Sequence, residues 1–224
     1  MTAFRRAGLL RYAAVQFVVL VGAAMALFAG GNAFARDERR YELTGNFLSD
    51  LGMTRAWSGR PNAASSILFG IALASLGGGL VSFAWSWREL GTRARPAGIA
   101  SAFLGTASGL CFVGIAVTPF DLALDLHNGF VFGAFGLLLG YVVALCIYMW
   151  RNDATAAQKA ANLAFVALVL SYVILIFFGP RLSTHRGWQT QIVGQKLVAF
   201  GSVIYVVTMT TLLRRQLAAR RSGT

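Results

Sequence analysis

Apolar residues in this chain come in long unbroken blocks, with neither the strict alternation of a half-buried strand nor the one-sided stripe of a water-facing helix. Six blocks are long enough to cross a bilayer, which takes about 20 apolar residues as a helix. They lie near 11–31, 62–84, 97–118, 129–150, 160–179 and 192–213. The pattern predicts an all-α, polytopic membrane helical bundle of six transmembrane helices, a single domain over 1–224. Short connections join the spans, except for a first outer loop of about 30 residues, long for a compact domain.

Composition agrees. Hydrophobic residues make up 57% of the chain and charged residues 12%, about half the share in a soluble domain. The first block needs a separate argument. Arg5, Arg6 and Arg11 precede it and Ala33-Phe34-Ala35 follows, which is the shape of a cleaved signal peptide. Its full spanning length favours a retained first helix.

The net charge is +12. The basic residues flank apolar blocks and form no patch on a soluble domain, so they read as topology signals and not as a nucleic-acid surface. With the N-terminus inside, the inner segments 1–11, 85–96, 151–159 and 214–224 hold twelve bases, including Arg88, Arg151, Lys159, Arg220 and Arg221, against the acids Glu89 and Asp153. The bias puts both termini in the cytoplasm and the chain in the plasma membrane, although Arg36, Arg39, Arg40, Arg55 and Arg60 crowd the first outer loop. Trp57, Trp85, Trp87, Trp150 and Trp188 fall at expected membrane borders, where an indole keeps one edge wet. Cys111 and Cys146 sit at helical depths of about 12 Å and 27 Å, too far apart to bridge. The Gly105–Gly109 pair and the row Gly129, Gly133, Gly136 and Gly140 predict close helix approach, chiefly within the bundle, with a homo-oligomer face as the alternative.

Chemistry-bearing residues gather on the outer side. The first outer connection contains Asn46-Phe47-Leu48-Ser49-Asp50-Leu51-Gly52, and the second runs Thr118 to Gly129 with Asp121, Asp125 and His127. The third carries Arg181, His185 and Arg186, with Gln195 and Lys196 just beyond. Ionisable groups beside hydrocarbon are costly unless paired or wet, so they are site candidates. Asp121 and Asp125, four apart, would share a helical face. Asp50, Asp121, His127 and His185 are candidate catalytic groups. Asn46, Ser49, Arg181, Arg186, Gln195 and Lys196 are candidate ligand contacts, with guanidinium suited to phosphate. Asp121, His127 and His185 could hold a divalent metal, zinc by donor type, although no HExxH or CxxC spacing is present. Ser49 reads either as a nucleophile or, with Asp50, as a helix cap. Asp50 calls for a cationic partner, Arg181, Arg186 or Lys196.

The segment Asn46–Gly52, the Thr118-Pro119-Phe120-Asp121 run followed by His127, and the basic, His-containing third connection resemble an uncharacterised bacterial six-helix membrane family, one known by a domain-of-unknown-function label and akin to FRAG/DRAM/SFK-type membrane proteins. The likeness covers nearly the whole chain. It implies a helical bundle with an outer polar site of Asp50, Asp121 and His127, and a link to lipid handling. The leading expectation is a protein that binds a lipid or other amphipathic ligand in an outer cup. A membrane-embedded hydrolase or acyl transferase acting on lipid is the alternative, and a small transporter ranks last because the spans lack charge at mid-depth.

Overall fold

A computed structural model describes residues 1–89, 91 and 93–222 of the chain. The side chains of Glu89, Arg220 and Arg221, counted on the inner side above, lie outside the described set. The described residues form six long helices: α1 (Ala3–Leu27), α2 (Ala63–Ala84), α3 (Arg95–Val117), α4 (Leu124–Arg151), α5 (Ala156–Phe178) and α6 (His185–Ser222). Each is long and apolar enough to cross a membrane. Only backbones that satisfy their own hydrogen bonds can do so, and helices meet that demand locally. The fold is therefore an all-helical bundle of six helices that could each span a membrane, with no strand among the described residues.

The helix ends show why the elements stop where they do. Thr155 caps α5, its hydroxyl accepting from the Gln158 amide at 3.2 Å while the Gln158 side chain accepts from Thr155 N–H at 2.8 Å. Thr184 caps α6 by accepting from Gly187 N–H at 3.1 Å. A proline opens α3. Beyond the end of α1, Gly30 and Gly31 hold φ of +93° and +82°, and a side chain on either would strike the backbone of the first connection. Two helices outrun their apolar blocks: α1 starts eight residues early, taking in Arg5 and Arg6, and α6 continues well past residue 213.

The helices pack as a closed ring. Each rests on its neighbours in sequence, and α6 returns to α1. The first helix is a full member of this ring, burying Ala7, Leu10, Ala14, Phe17, Val21 and Ala24. The core forms two layers, one around Trp87, Tyr141, Tyr148 and Met209, and one around Phe17, Leu48, Leu51 and Phe69 beneath the connection between α1 and α2. Trp87 is wholly buried and donates to Tyr141 OH at 3.3 Å, so its indole packs within the bundle and keeps no wet edge. Cys111 and Cys146 are free thiols.

Glycine sets the tightest crossing. A Cβ on Gly77 would lie 2.5 Å from the Gly109 carbonyl oxygen, and one on Gly109 would lie 2.6 Å from the Gly77 carbonyl oxygen. The expected Gly105–Gly109 pair thus works inside the bundle, with Gly105 against Ala84 and Tyr141. The α4 row divides: Gly133 faces Cys111 and Gly140 faces Leu104, while Gly129 and Gly136 face open space.

Gly109→Ala, which drives Cβ into backbone, is expected to destabilise by about 1–3 kcal/mol. Gly136→Ala should be neutral or slightly stabilising. Unfolding midpoints of the two variants in detergent check this, and equal midpoints would contradict the close crossing.

Candidate functional site

The connection between α1 and α2 is a folded roof. Its backbone leaves the helical pattern and packs across one end of the apolar bundle, so its polar groups need internal partners. Buried asparagines supply them. Asn62 accepts from Ala29 N–H at 3.1 Å and donates to the carbonyls of Leu51 and Met53. Asn32 accepts from Phe34 and Ala35 N–H at 2.9 and 2.8 Å. Asn46, completely buried, accepts from Glu42 N–H and donates to Gly31 O at 2.9 Å and to Asp50 Oδ2 at 3.0 Å.

Asp50 sits in a short 3₁₀ helix, Leu48–Gly52, and caps its start by accepting from Phe47 N–H at 3.1 Å. Its partners are thus an amide side chain and a backbone N–H. Of the three expected cations only Lys196 acts on it, through charge and not through a hydrogen bond: Lys196 Nζ donates to Asn46 O and lies over the Tyr41 ring. The Trp57 indole N–H is close enough to favour the carboxylate yet makes no hydrogen bond of ordinary geometry. Burial outweighs all of these and pushes the Asp50 carboxyl up to about 6.

The roof is pinned at two further places. Asp121 accepts from Thr54 N–H at 2.9 Å, Thr54 Oγ1 at 2.6 Å and Arg55 N–H at 3.0 Å, tying the second connection to the first. Its partial burial raises the carboxyl, but these hydrogen bonds together outweigh that and hold it below the usual range. Trp188 is buried, donates to Gly45 O at 2.8 Å and meets Phe34, Phe47 and Trp57 edge-on. Its position under a roof depends on a loop far away in sequence.

Beneath the roof, over α4, α5 and α6, lies a cup of about 470 Å³. Ser49, Asp50, His127, Arg181 and Gln195 all line it, contributed by the 3₁₀ helix, α4, the α5–α6 connection and α6. The rest of its wall is largely apolar: Phe47, Phe120, Leu124, Val131, Phe132, Ile176, Leu182 and Trp188, with Tyr172, Asn128 and Gln191. This size, and an apolar wall carrying a few polar groups, are those of a ligand site. The aromatic members escaped the sequence reading because spacing alone does not separate them from ordinary span residues.

His127 has a defined tautomer. Its Nδ1 lies 2.7 Å from Thr118 O, and a carbonyl only accepts, so Nδ1 carries the proton. In the neutral ring Nε2 then presents a lone pair, and no described residue takes it up. Gln195 Oε1 accepts from Leu48 N–H at 2.6 Å, leaving its amide N–H groups without a partner among the described residues. The Arg181 guanidinium is likewise exposed and unpaired among them.

Other candidates fall outside the cup. Asn46 is a buried strut, and Lys196 braces the roof. His185 is exposed and packs edge-on against Phe34 at 5.2 Å. Arg186 is exposed and lines no part of the cup. Asp121 lies before α4 begins and Asp125 in its first turn, so the two do not share a helical face. The expected metal set of Asp121, His127 and His185 is not assembled: each is engaged with a different partner. Among the described residues no three His, Cys, Asp or Glu side chains gather as metal ligands. As for the Ser49 alternatives, Asp50 is the cap and Ser49 faces the cup.

With its carboxyl raised, folded Asp50 holds a proton more tightly than the unfolded chain, where aspartate titrates near 4. Its contribution to stability is therefore fully present below about pH 4 and falls by about 2–3 kcal/mol as the pH rises to about 6. The unfolding midpoint of the wild type minus that of Asp50→Asn should decline across this window and then level off. A difference constant from pH 4 to 7.5 would refute it.

No protein-family model, curated protein or solved structure matches this chain.

Proposed function

We propose that this is a plasma-membrane protein with cytoplasmic termini that binds an amphipathic ligand, a lipid or lipid fragment, in the cup on its outer face. The carrying observation is the cup itself. Polar groups from four separate segments meet in one cavity whose remaining wall is mostly hydrocarbon and aromatic. Such a lining suits a molecule with a polar head and an apolar body. Arg181 is the only cation in the lining among the described residues, and its planar fork suits a phosphate or carboxylate head. The inner ends carry a different chemistry, with Arg88 over Trp85 at 5.4 Å and Lys159 over Trp150 at 5.6 Å, as suits a face held against anionic lipid headgroups. The resemblance to a six-helix family linked to lipid handling points the same way.

A second reading is favoured by one observation, the fixed tautomer of His127. A base with its lone pair turned away from Thr118 and Ser49 in the same cavity are the parts of a hydrolase or acyl transferase acting on lipid esters. In that case His127→Gln keeps lipid binding and loses fatty-acid release from an ester lipid.

The binding reading is tested by quantifying lipid retained through detergent purification. Arg181→Ala is expected to lose about tenfold, the scale of one charge-assisted hydrogen bond. Arg186→Ala, outside the cup, should retain the wild-type amount. Unchanged lipid in Arg181→Ala, or equal loss in both variants, refutes the cup as the site.

A further inference from the structure

The His127 imidazole is anchored at one edge and free at the other. Nδ1–H donates to Thr118 O at 2.7 Å, and the side chain is only 3% exposed. Phe120 meets the ring edge-on at 5.9 Å and offers no N–H or O–H. Among the described residues, the side-chain N and O atoms sealed away without a partner are Trp57 Nε1 and Ser86 Oγ. His127 Nε2 is not one of them, so its lone pair is reached from the cup that the residue lines. In the neutral ring this nitrogen only accepts.

The other free polar atoms of the cup are mostly donors. Tyr172 is 5% exposed and lines the cup with a hydroxyl that has no hydrogen-bond partner among the described residues. The Gln195 amide N–H groups and the Arg181 guanidinium have none either. Donors suit the oxygens of a phosphate or carboxylate. They make no hydrogen bond to Nε2, which needs its donor from elsewhere. Leaving a buried acceptor unmatched costs more than an average hydrogen bond contributes. A site built around such an atom therefore rejects an analogue that lacks the matching group.

We infer that the head of the cup's ligand carries an N–H or O–H group beside its anion, and that His127 Nε2 receives that hydrogen bond and selects for it. The inference rests on the cup reading above and narrows it to donor-bearing heads. A primary ammonium and a glycerol or sugar hydroxyl share this chemistry. A methyl phosphate ester and a quaternary ammonium lack it. Thr118 O acts through His127, by holding the proton on Nδ1 and the lone pair on Nε2.

The test offers purified, delipidated protein four dioleoyl phospholipids at about pH 8, above the ordinary range of imidazole. They form two pairs matched in charge. Phosphatidylglycerol is set against phosphatidylmethanol, both anionic, and phosphatidylethanolamine against phosphatidylcholine, both zwitterionic. Lipid retained after repurification is quantified by mass spectrometry. In the wild type, at least one donor-bearing head should be retained about fivefold over its match, the scale of a buried acceptor gaining its donor. His127→Asn keeps an amide within reach of Thr118 O but does not extend to the place of Nε2, and it should bring that ratio close to one. His127→Phe serves if the first variant does not fold. His127→Gln, whose amide oxygen extends as far as Nε2, should restore the preference. A preference within the anionic pair alone identifies a hydroxyl head, and one within the zwitterionic pair alone an ammonium head. Equal retention within both pairs, or a preference that survives His127→Asn and His127→Phe, overturns the inference. Arg181→Ala separates this failure from that of the cup. If Arg181→Ala loses all four lipids while the wild type shows no preference, only the donor selection has failed. If it loses none, the cup reading has failed with it.

Discussion

The hydrogen bond between buried Asn46 and Asp50 is the contact on which the outer half of this molecule depends. A connection of 35 residues, 28–62, has to turn across the end of a hydrophobic ring, where unpaired backbone groups are expensive. Asn46 closes that turn from three sides, through Glu42, Gly31 and Asp50. Asp50 in turn starts the 3₁₀ helix whose Leu48 and Leu51 insert into the core layer beneath the connection. A carboxyl so deeply buried is held by several partners at once, and its raised affinity for a proton is the cost of that position.

From this roof the division of labour among the polar residues follows. Asp121, Lys196 and Trp188 are consumed in pinning it: one ties the second connection to it, one braces the Asn46 carbonyl, and one closes the aromatic layer beneath. Their side chains serve the fold. Among the described residues, His127, Ser49, Gln195 and Arg181 keep functional atoms unpaired, although the Gln195 carbonyl oxygen is taken by Leu48 N–H. The roof over the ring leaves a cup in which a few polar groups stand in a largely apolar wall. An amphiphile has the same division.

The legible parts of the fold were those carried by local pattern. Six apolar blocks gave six helices because hydrocarbon admits few other backbones, and block length is readable without partners. Helix ends were less legible: α1 and α6 run past their blocks because polar residues at a water-facing end cost a helix little. The clustering of Ser49, Asp50, His127, Arg181 and Gln195 was legible in outline, since topology puts all of them on one side. The partners were not. Asp50 looked as if it needed a cation, and its hydrogen bonds come instead from an amide four residues away and from backbone.

The sequence by itself determined an all-helical chain with six spanning segments and a concentration of reactive side chains at one end, because hydrophobic periodicity and charge bias act locally. Tertiary structure alone decided which of those side chains face a shared space. His127 and His185 look equivalent in sequence, each close to the start of a helix. One is turned into the cup by the Thr118 carbonyl, and the other lies outside against Phe34. The choice depends on how a ring of helices closes and on where a long connection settles across it, and both are set by contacts between residues far apart in the chain.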